Sequence, residues 1–356
     1  MRFSYATGGL LLFLLVAAVV GASTLNISNG GSVVGLTGQW FDYVVVIMLE
    51  NHSINYTYYN GIGTNPCFGN CTYFTSLANA NGLAENYRNT GVTGGSIGDY
   101  IAITSGYGNT SSDCNAGPMT TGCPLLGVPN IVDRLELAGL SWKIYMEGYP
   151  IQSGCYNTSG GYPGYYAPEH NPFIYYSDFQ HNMTRCSRIV AANSANIQPN
   201  IPKPRCYPIP VDNDSLFLND LGSITSASNY MFLIPNTIDD IHDCDDVSVG
   251  NSWLQQIVPQ ILNSFLFLTH RSALFITFDE PDCTFGTCPS AAPELYSVWV
   301  SNSTSSRPTV VPHVKSNAVF THYSQLKTIE DNWHLPYLIS TTDGSPNTRN
   351  MQVFFR

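Results

Sequence analysis

The stretch Val44-Val45-Val46-Ile47-Met48-Leu49-Glu50-Asn51-His52-Ser53 decides how this chain is read. Its apolar run has no polar alternation, which describes a strand buried on both faces, as in a parallel sheet. The run stops abruptly at a carboxylate, an amide and an imidazole. Ligands of open α/β sheets bind beyond the carboxyl ends of the strands. Glu50 and Asn51 therefore stand where oxygen donors would hold a hard cation. Taken alone, the stretch fits a strand followed by an ordinary polar turn equally well.

The same signature recurs. Ala273-Leu274-Phe275-Ile276-Thr277-Phe278 is followed at once by Asp279-Glu280. Two such strands in one sheet can point both acidic sets at one ion. Without a cation, Glu50, Asp279 and Glu280 side by side would raise one another's pKa; a bound divalent metal removes that cost. The structural alternative has these acids capping a following helix or facing solvent. Further strand-like runs lie at Tyr43–Leu49, Trp142–Met146, Tyr230–Ile234 and Tyr296–Val300. Helical spacing lies between them: Ile131, Val132 and Leu135 before a closing Gly139, and Trp253 through Phe265 with Pro259 as a kink. This alternation predicts an α/β fold, a three-layer α/β/α arrangement around a mainly parallel sheet.

Ser96 is the candidate nucleophile. It follows Gly94-Gly95, which permit close backbone approach to a ligand, and Asp99 three residues on suggests a helix start with Gly106 as its stop. A serine there meets unpaired N–H groups and the positive end of the helix dipole, which suits phosphate; an ordinary capping serine would look the same. Three histidines stand out: His170 in Glu169-His170-Asn171-Pro172-Phe173, His242 after Asp239-Asp240-Ile241, and His322 at a helix start. Singly, each is as readily a hydrogen-bonded structural residue. His52 should point away from Asn51 if the chain stays extended.

The surroundings are those of an exported protein. Leu10 to Val20 form a short apolar core behind Arg2, and Val20-Gly21-Ala22 offers small residues for cleavage, so residues 1–22 read as a signal peptide and 23–356 as the mature chain. Retention as an uncleaved anchor is the alternative. Ten cysteines, with close pairs Cys67/Cys71, Cys114/Cys123 and Cys283/Cys288, read as disulfides. No Cys-x-x-Cys pair supports zinc. Acceptor sequons for N-linked glycans occur at Asn26, Asn55, Asn70, Asn109, Asn157, Asn182, Asn213 and Asn302. Charged residues make up 11% of the chain and the net charge is −11, with no basic stripe, which excludes nucleic acid as a partner. Between Gly148 and Asn229 apolar periodicity fades, so 149–229 reads as a disulfide-tied insertion, a lid over the site or a surface for glycans.

In this order the segments resemble the phosphoesterase family of bacterial acid phosphatases and phosphatidylcholine-type phospholipases C, within the alkaline-phosphatase-like superfamily. Val46 to Ser53 looks like its first metal motif and Ser96 to Gly106 its nucleophile segment. Leu137 to Pro150, His170-Asn171-Pro172-Phe173, Pro235-Asn236 with Asp240 to Asp243, Phe278-Asp279-Glu280 and His322 to Asp331 follow in the family's sequence. The resemblance implies an alkaline-phosphatase-like fold and a divalent metal held by Glu50, Asn51, Ser96, Asp279 and Glu280. It implies Ser96 as nucleophile, with His170, His242 and His322 contacting phosphate oxygens or serving the leaving group. The chain departs from the family's usual His-Pro at Gly94-Gly95, from Asp at Asn55 and from Gly-Asp at Gly250-Asn251.

The expectation is a secreted, metal-dependent hydrolase of phosphomonoesters working through a phosphoserine, its partner a small-molecule or lipid-headgroup phosphate ester. A phospholipase C acting on lipid diesters is the alternative within the same chemistry. From another class, the departures admit a glycosylated surface protein that binds without turnover.

Overall fold

In this computed structural model, residues 37–58, 71–108, 112–149, 154–157, 166–193, 213–243, 246–281 and 294–356 are described. The leader, Cys67, Cys206, Cys244, Cys283 and Cys288, and the sequons at Asn26, Asn70 and Asn109 lie outside them. The strands are β1 (Tyr43–Leu49), β2 (Gly82–Ala84), β3 (Tyr87–Arg88), β4 (Trp142–Met146), β5 (Ile189–Ala191), β6 (Tyr230–Ile234), β7 (Ser272–Phe278), β8 (Val298–Val300), β9 (Val314–Ser316) and β10 (Phe320–Thr321). Eight form one sheet in the order β5-β4-β6-β1-β7-β8-β2-β9, while β10 and β3 pair separately.

The centre of the sheet, β4-β6-β1-β7, is parallel throughout. Every residue of β6 and β7 is buried, and all of β1 but Tyr43. Both faces of these strands are covered, which is why their sequences read as unbroken apolar runs. β8 turns antiparallel against β7 and β2. The register fixes the chemistry: Leu49 pairs with Phe278, so Glu50 and Asp279, one step farther, emerge beside each other at the carboxyl edge.

Two expected helices are present. Ile131–Leu137 begins with a capping box between Asn130 and Asp133, and Gly139 at φ 71° closes it. Val247–Leu262 continues past Pro259, which removes one amide donor without ending the helix. The stretch 149–229 contributes a strand to the main sheet. Its β5 pairs in parallel with β4 to form an edge of the sheet, and the Cys155–Cys186 disulfide lies within it. Cys114–Cys123 forms as its spacing suggested, and Cys71 is also disulfide-bonded. Asn55, Asn182 and Asn213 are exposed, but Asn302 is buried and its amide donates to the Leu262 carbonyl, so that sequon presents no accessible acceptor. Among the described residues no helix is long and apolar enough to cross a membrane.

Helix His322–Asn332 carries a buried acid whose cost can be measured. Glu330 is fully buried; one oxygen accepts from Leu338 N–H at 3.0 Å and the other has no donor. Burial, and then the neighbouring charge of Asp343, push its pKa up to about 9. An acid whose folded pKa lies above its unfolded value binds more protons when folded, so stability falls as pH rises between the two. Glu330→Gln should therefore remove a loss of stability that accumulates from about pH 4.5 to about pH 9. Its steepest slope is about 1.4 kcal/mol per pH unit, the value for one proton. Urea midpoints at pH 5 and pH 8.5 check this: the wild type should lose more between them than the variant, and equal losses would refute it.

Candidate active site

The site gathers at the carboxyl edge where β1 and β7 end. Glu50 is fully buried, and its N–H donates to the Asp240 carbonyl at 2.9 Å. Asn51 then turns the chain at φ 58°, a left-handed conformation that Asn tolerates better than most residues. This turn sends the Asn51 N–H to Asp279 Oδ1 at 2.9 Å and its side-chain amide to Glu50 Oε2 at 3.2 Å. It also ends the extended run, and His52 folds back to place Nδ1 2.9 Å from the Glu50 carbonyl.

Ser96 Oγ donates to the same Glu50 Oε2 at 3.0 Å. Ser96 is the first residue of helix Ser96–Ser105 and Gly95 is its N-cap, so the expected serine cap is displaced by one position. Gly95 sits at φ 65°, and a Cβ there would lie 2.5 Å from Asp113 Oδ1. Proline, with φ fixed near −65°, cannot adopt that conformation, so Gly94-Gly95 marks a different local path. Gly106 closes the helix in the left-handed region, as its sequence position suggested.

Two histidines stand with the acids. His170 is buried, with Nδ1 2.9 Å from Asp240 Oδ2 and Nε2 3.3 Å from Glu50 Oε1. His242 meets it edge-on at 5.1 Å, donates its backbone N–H to Asp240 Oδ1 at 2.8 Å, and has Nδ1 3.2 Å from Asp243. Burial alone would lower the His242 pKa, but Asp243 and Asp240 more than offset it and carry it to about 9. Glu50, His170 and His242 offer ligand atoms all within 4.8 Å of one another.

His322 takes a different place from the one expected. Both its nitrogens are engaged inside the protein, Nε2 with the Asp279 carbonyl at 2.7 Å and Nδ1 with the Tyr87 hydroxyl at 3.0 Å. It is fully buried, and that burial lowers its pKa to about 4. A neutral ring with both nitrogens committed cannot also bind a phosphate oxygen; it fixes the backbone behind Asp279. The β3–β10 pair makes this contact by placing Tyr87 beside the start of the His322 helix.

The acids are held at a cost. Burial raises the pKa of Glu50, and the charges of Asp279 and Asp240 raise it further. Burial also raises Asp279, and burial followed by Asp279 and Asp113 brings Glu280 to about 8. Among the described residues, no lysine or arginine pairs with Glu50, Asp240 or Asp279. Asp279 Oδ2 is buried without a hydrogen-bond partner, and Glu50 Oε1 and His170 Nε2 meet only each other, at 3.3 Å. Buried acceptors left so are a strong destabilising feature, and oxygen donors with imidazole suit a divalent cation.

Sequence reasoning did not single out three neighbours. Asp240 holds both histidines; its place in the Asp240-Ile241-His242-Asp243 segment was the available signal. Tyr100, one turn after Ser96, stacks on His170 at 5.6 Å with planes 12° apart, and its hydroxyl lies by the Glu50 carboxyl. Asp113 reaches the Ile97 N–H at 3.5 Å from a separate loop, and no local pattern announces it. Asn251 is structural: its Oδ1 accepts from Tyr73 and Phe74 N–H groups at the start of helix Thr72–Ala80, which an amide does as well as a carboxylate.

Known proteins resemble this chain in sequence and in fold. A probable acid phosphatase of Kluyveromyces lactis is 27% identical over 223 residues, 62% of this chain and 45% of that protein. This chain thus spans less than half the length of the fungal relatives it matches, 40% for an acid phosphatase of Aspergillus fumigatus. A phosphatidylinositol-3-phosphatase of Mycobacterium tuberculosis is 26% identical across 93% of this chain and 92% of its own. In three dimensions, an alkaline phosphatase superfamily protein from Vibrio parahaemolyticus superposes with a TM-score of 0.53 at 11% identity, over 84% of this chain and 68% of that one. The lipoteichoic acid synthase of Listeria monocytogenes gives 0.52 at 9% identity, over 89% and 78%. These likenesses show an alkaline-phosphatase-like fold. The sequence pattern of the Phosphoesterase family matches residues 69–214 and 226–336, most of the chain, and the chain belongs to that family.

Proposed function

We propose that this chain hydrolyses phosphomonoesters, with Ser96 as nucleophile and a divalent cation held by Glu50, Asn51, Asp279 and Glu280 together with the Ser96 oxygen. The observation that carries this reading is the Ser96 hydroxyl donated to Glu50 Oε2 at 3.0 Å, inside a buried acid cluster in which Asp279 Oδ2 has no hydrogen-bond donor. When bound, the cation would neutralise phosphate and carboxylate charge and favour the serine alkoxide.

The chain's own residues divide the remaining work. Glu50 Oε2 is the nearest acceptor for the proton leaving Ser96 Oγ. Oγ attacks phosphorus in line, its P–O bond forming as the bond to the alcohol breaks. His242 gives a proton to the departing oxygen. Water then attacks the phosphoserine, passing a proton to His242, while the proton held by Glu50 returns to Oγ as inorganic phosphate leaves. Asp240 acts through His170 and His242, and His322 through the Asp279 backbone.

Export belongs to the same proposal: residues 1–22 act as a leader and the Cys114–Cys123 and Cys155–Cys186 bridges suit an oxidising exterior. The Mycobacterium relative, matched nearly end to end, acts by its name on phosphate carried by a lipid, which supports a lipid-borne monoester among the substrates. Phosphate release from p-nitrophenyl phosphate and from phosphatidylinositol 3-phosphate vesicles, beside phosphocholine release from phosphatidylcholine vesicles, across pH with added divalent cations, tests the reading. Release from either monoester and none from phosphatidylcholine is expected. Turnover of phosphatidylcholine alone would replace it with a phospholipase C, and binding without turnover would replace it with the inactive surface protein.

A further inference from the structure

Helix Ser96–Ser105 starts without a side-chain cap of its own. Gly95 is its N-cap and has no side chain to offer, so the first-turn N–H groups depend on other acceptors. Gly98 N–H reaches back to the Gly95 carbonyl at 2.9 Å. Ile97 N–H, the second of the helix and one that an N-cap side chain ordinarily serves, donates to Asp113 Oδ1 at 3.5 Å. The Asp113 carboxyl lies close against Gly95: a Cβ there would stand 2.5 Å from Oδ1 and 2.6 Å from Cγ. Gly95 also holds φ 65°, which an L side chain would strain. The missing side chain thus permits the turn and admits a carboxylate from another segment.

That segment is anchored. Asp113 directly precedes Cys114, which is buried, stands at φ 60° and is bridged to Cys123. The Cys114 carbonyl accepts from Gly117 N–H at 2.7 Å and from the Tyr175 hydroxyl at 3.0 Å. Tyr175 closes the short turn Pro172–Tyr175 that follows His170. Beyond the bridge, Leu126 N–H donates to the Tyr175 carbonyl at 2.7 Å, and Ser177 N–H returns a bond to the Leu126 carbonyl at 2.9 Å. One disulfide-pinned loop therefore meets the start of the Ser96 helix and the segment that carries His170. Asp113 makes the first of these contacts.

We infer, resting on Ser96 as the nucleophile, that Asp113 is the positioning residue that aims it, supplying from the Cys114–Cys123 loop the cap that Gly95 lacks. Ser96 is the first residue of the helix, so loosening that turn carries Oγ away from Glu50 Oε2. Misplacement by about 1 Å costs on the order of 10²-fold in rate. Asp113 has a second effect, since its charge, after burial and Asp279, raises the pKa of Glu280. Asparagine and alanine both remove that charge. Only alanine removes the acceptor, so the difference between the two variants isolates the cap.

The test compares Asp113→Asn with Asp113→Ala in the full chain with added divalent cation, by kinetics on p-nitrophenyl phosphate and by amide hydrogen exchange of helix Ser96–Ser105. Asparagine caps as well as aspartate and should keep kcat within about threefold of wild type. Alanine should lower kcat on the order of 10–100-fold while KM changes by less than about threefold. It should also speed exchange in the first turn, where asparagine should not. Asp113→Leu, which fills the space without an acceptor, takes the place of alanine if that variant folds poorly. Equal loss of kcat in the asparagine and alanine variants would overturn the inference by giving the role to charge. A lower KM in alanine with kcat retained would overturn it too, making the carboxylate a competitor of phosphate. A fall in Tm with wild-type kcat would reduce Asp113 to a structural contact. A wild type inert toward phosphate esters would remove the proposed function, whereas exchange is read without substrate and still decides whether Asp113 caps the helix.

Discussion

Ser96→Ala should reduce kcat for p-nitrophenyl phosphate on the order of 10⁴-fold or more, the scale seen when a covalent nucleophile is removed. The substitution is nearly silent for the fold. The hydroxyl makes its described hydrogen bond to Glu50 Oε2, and that oxygen keeps the Asn51 amide as a donor. Gly95 and the N–H groups of the first helical turn are untouched, so unfolding free energy should stay within about 1 kcal/mol of wild type. A second readout separates nucleophile from bystander: wild type quenched with acid during turnover of labelled substrate should carry the label on Ser96. An alanine variant with more than a tenth of wild-type activity would end the assignment, as would label found on another residue.

Asp279→Asn should move activity and stability in opposite directions. Asp279 is fully buried beside Glu50, and its Oδ2 has no donor. Asparagine preserves the acceptor for the Asn51 N–H, at 2.9 Å in the native protein, and removes one charge from a crowded acid cluster. Activity should fall on the order of 10³-fold, since a hard cation loses a charged ligand. In cation-free buffer the variant should nevertheless be more stable, by about 1–3 kcal/mol, because an unpaired buried charge is relieved. Added divalent metal should stabilise wild type more than the variant. A residue needed only for structure would lower both quantities together, and that outcome would sink the metal-ligand role. Denaturant unfolding with and without EDTA, beside kinetics on the same samples, decides it.

What could be read from the sequence follows from how much of each feature is local. β1 and β7 were legible because burial on both faces leaves continuous apolar runs, and their acidic ends followed directly. The end of helix Ile131–Leu137 and the start of helix His322–Asn332 were legible for a similar reason, since caps and breakers act on neighbouring residues. β5 was hidden because Ile189–Ala191 is too short a run to stand out in a tyrosine- and proline-rich stretch. His322 was found, but its partners were not, because Tyr87 and the Asp279 carbonyl come from distant segments. Asp113 is the clearest omission: it meets Gly95 and Ile97 only through tertiary folding. Departures from the family pattern also changed meaning in three dimensions, Asn251 proving to be a helix cap supplied from another helix.

The pairing of Leu49 with Phe278 also governs where this protein can change length. A single-residue deletion or insertion within either strand would swap its faces and carry Glu50 or Asp279 one step out of line. Evolutionary gains and losses of sequence must then fall in the connections between strands, and homologues of very different size can still present the same acids at the same edge. Point substitutions test what a residue does here, but a one-residue shift in either strand would test both acids at once.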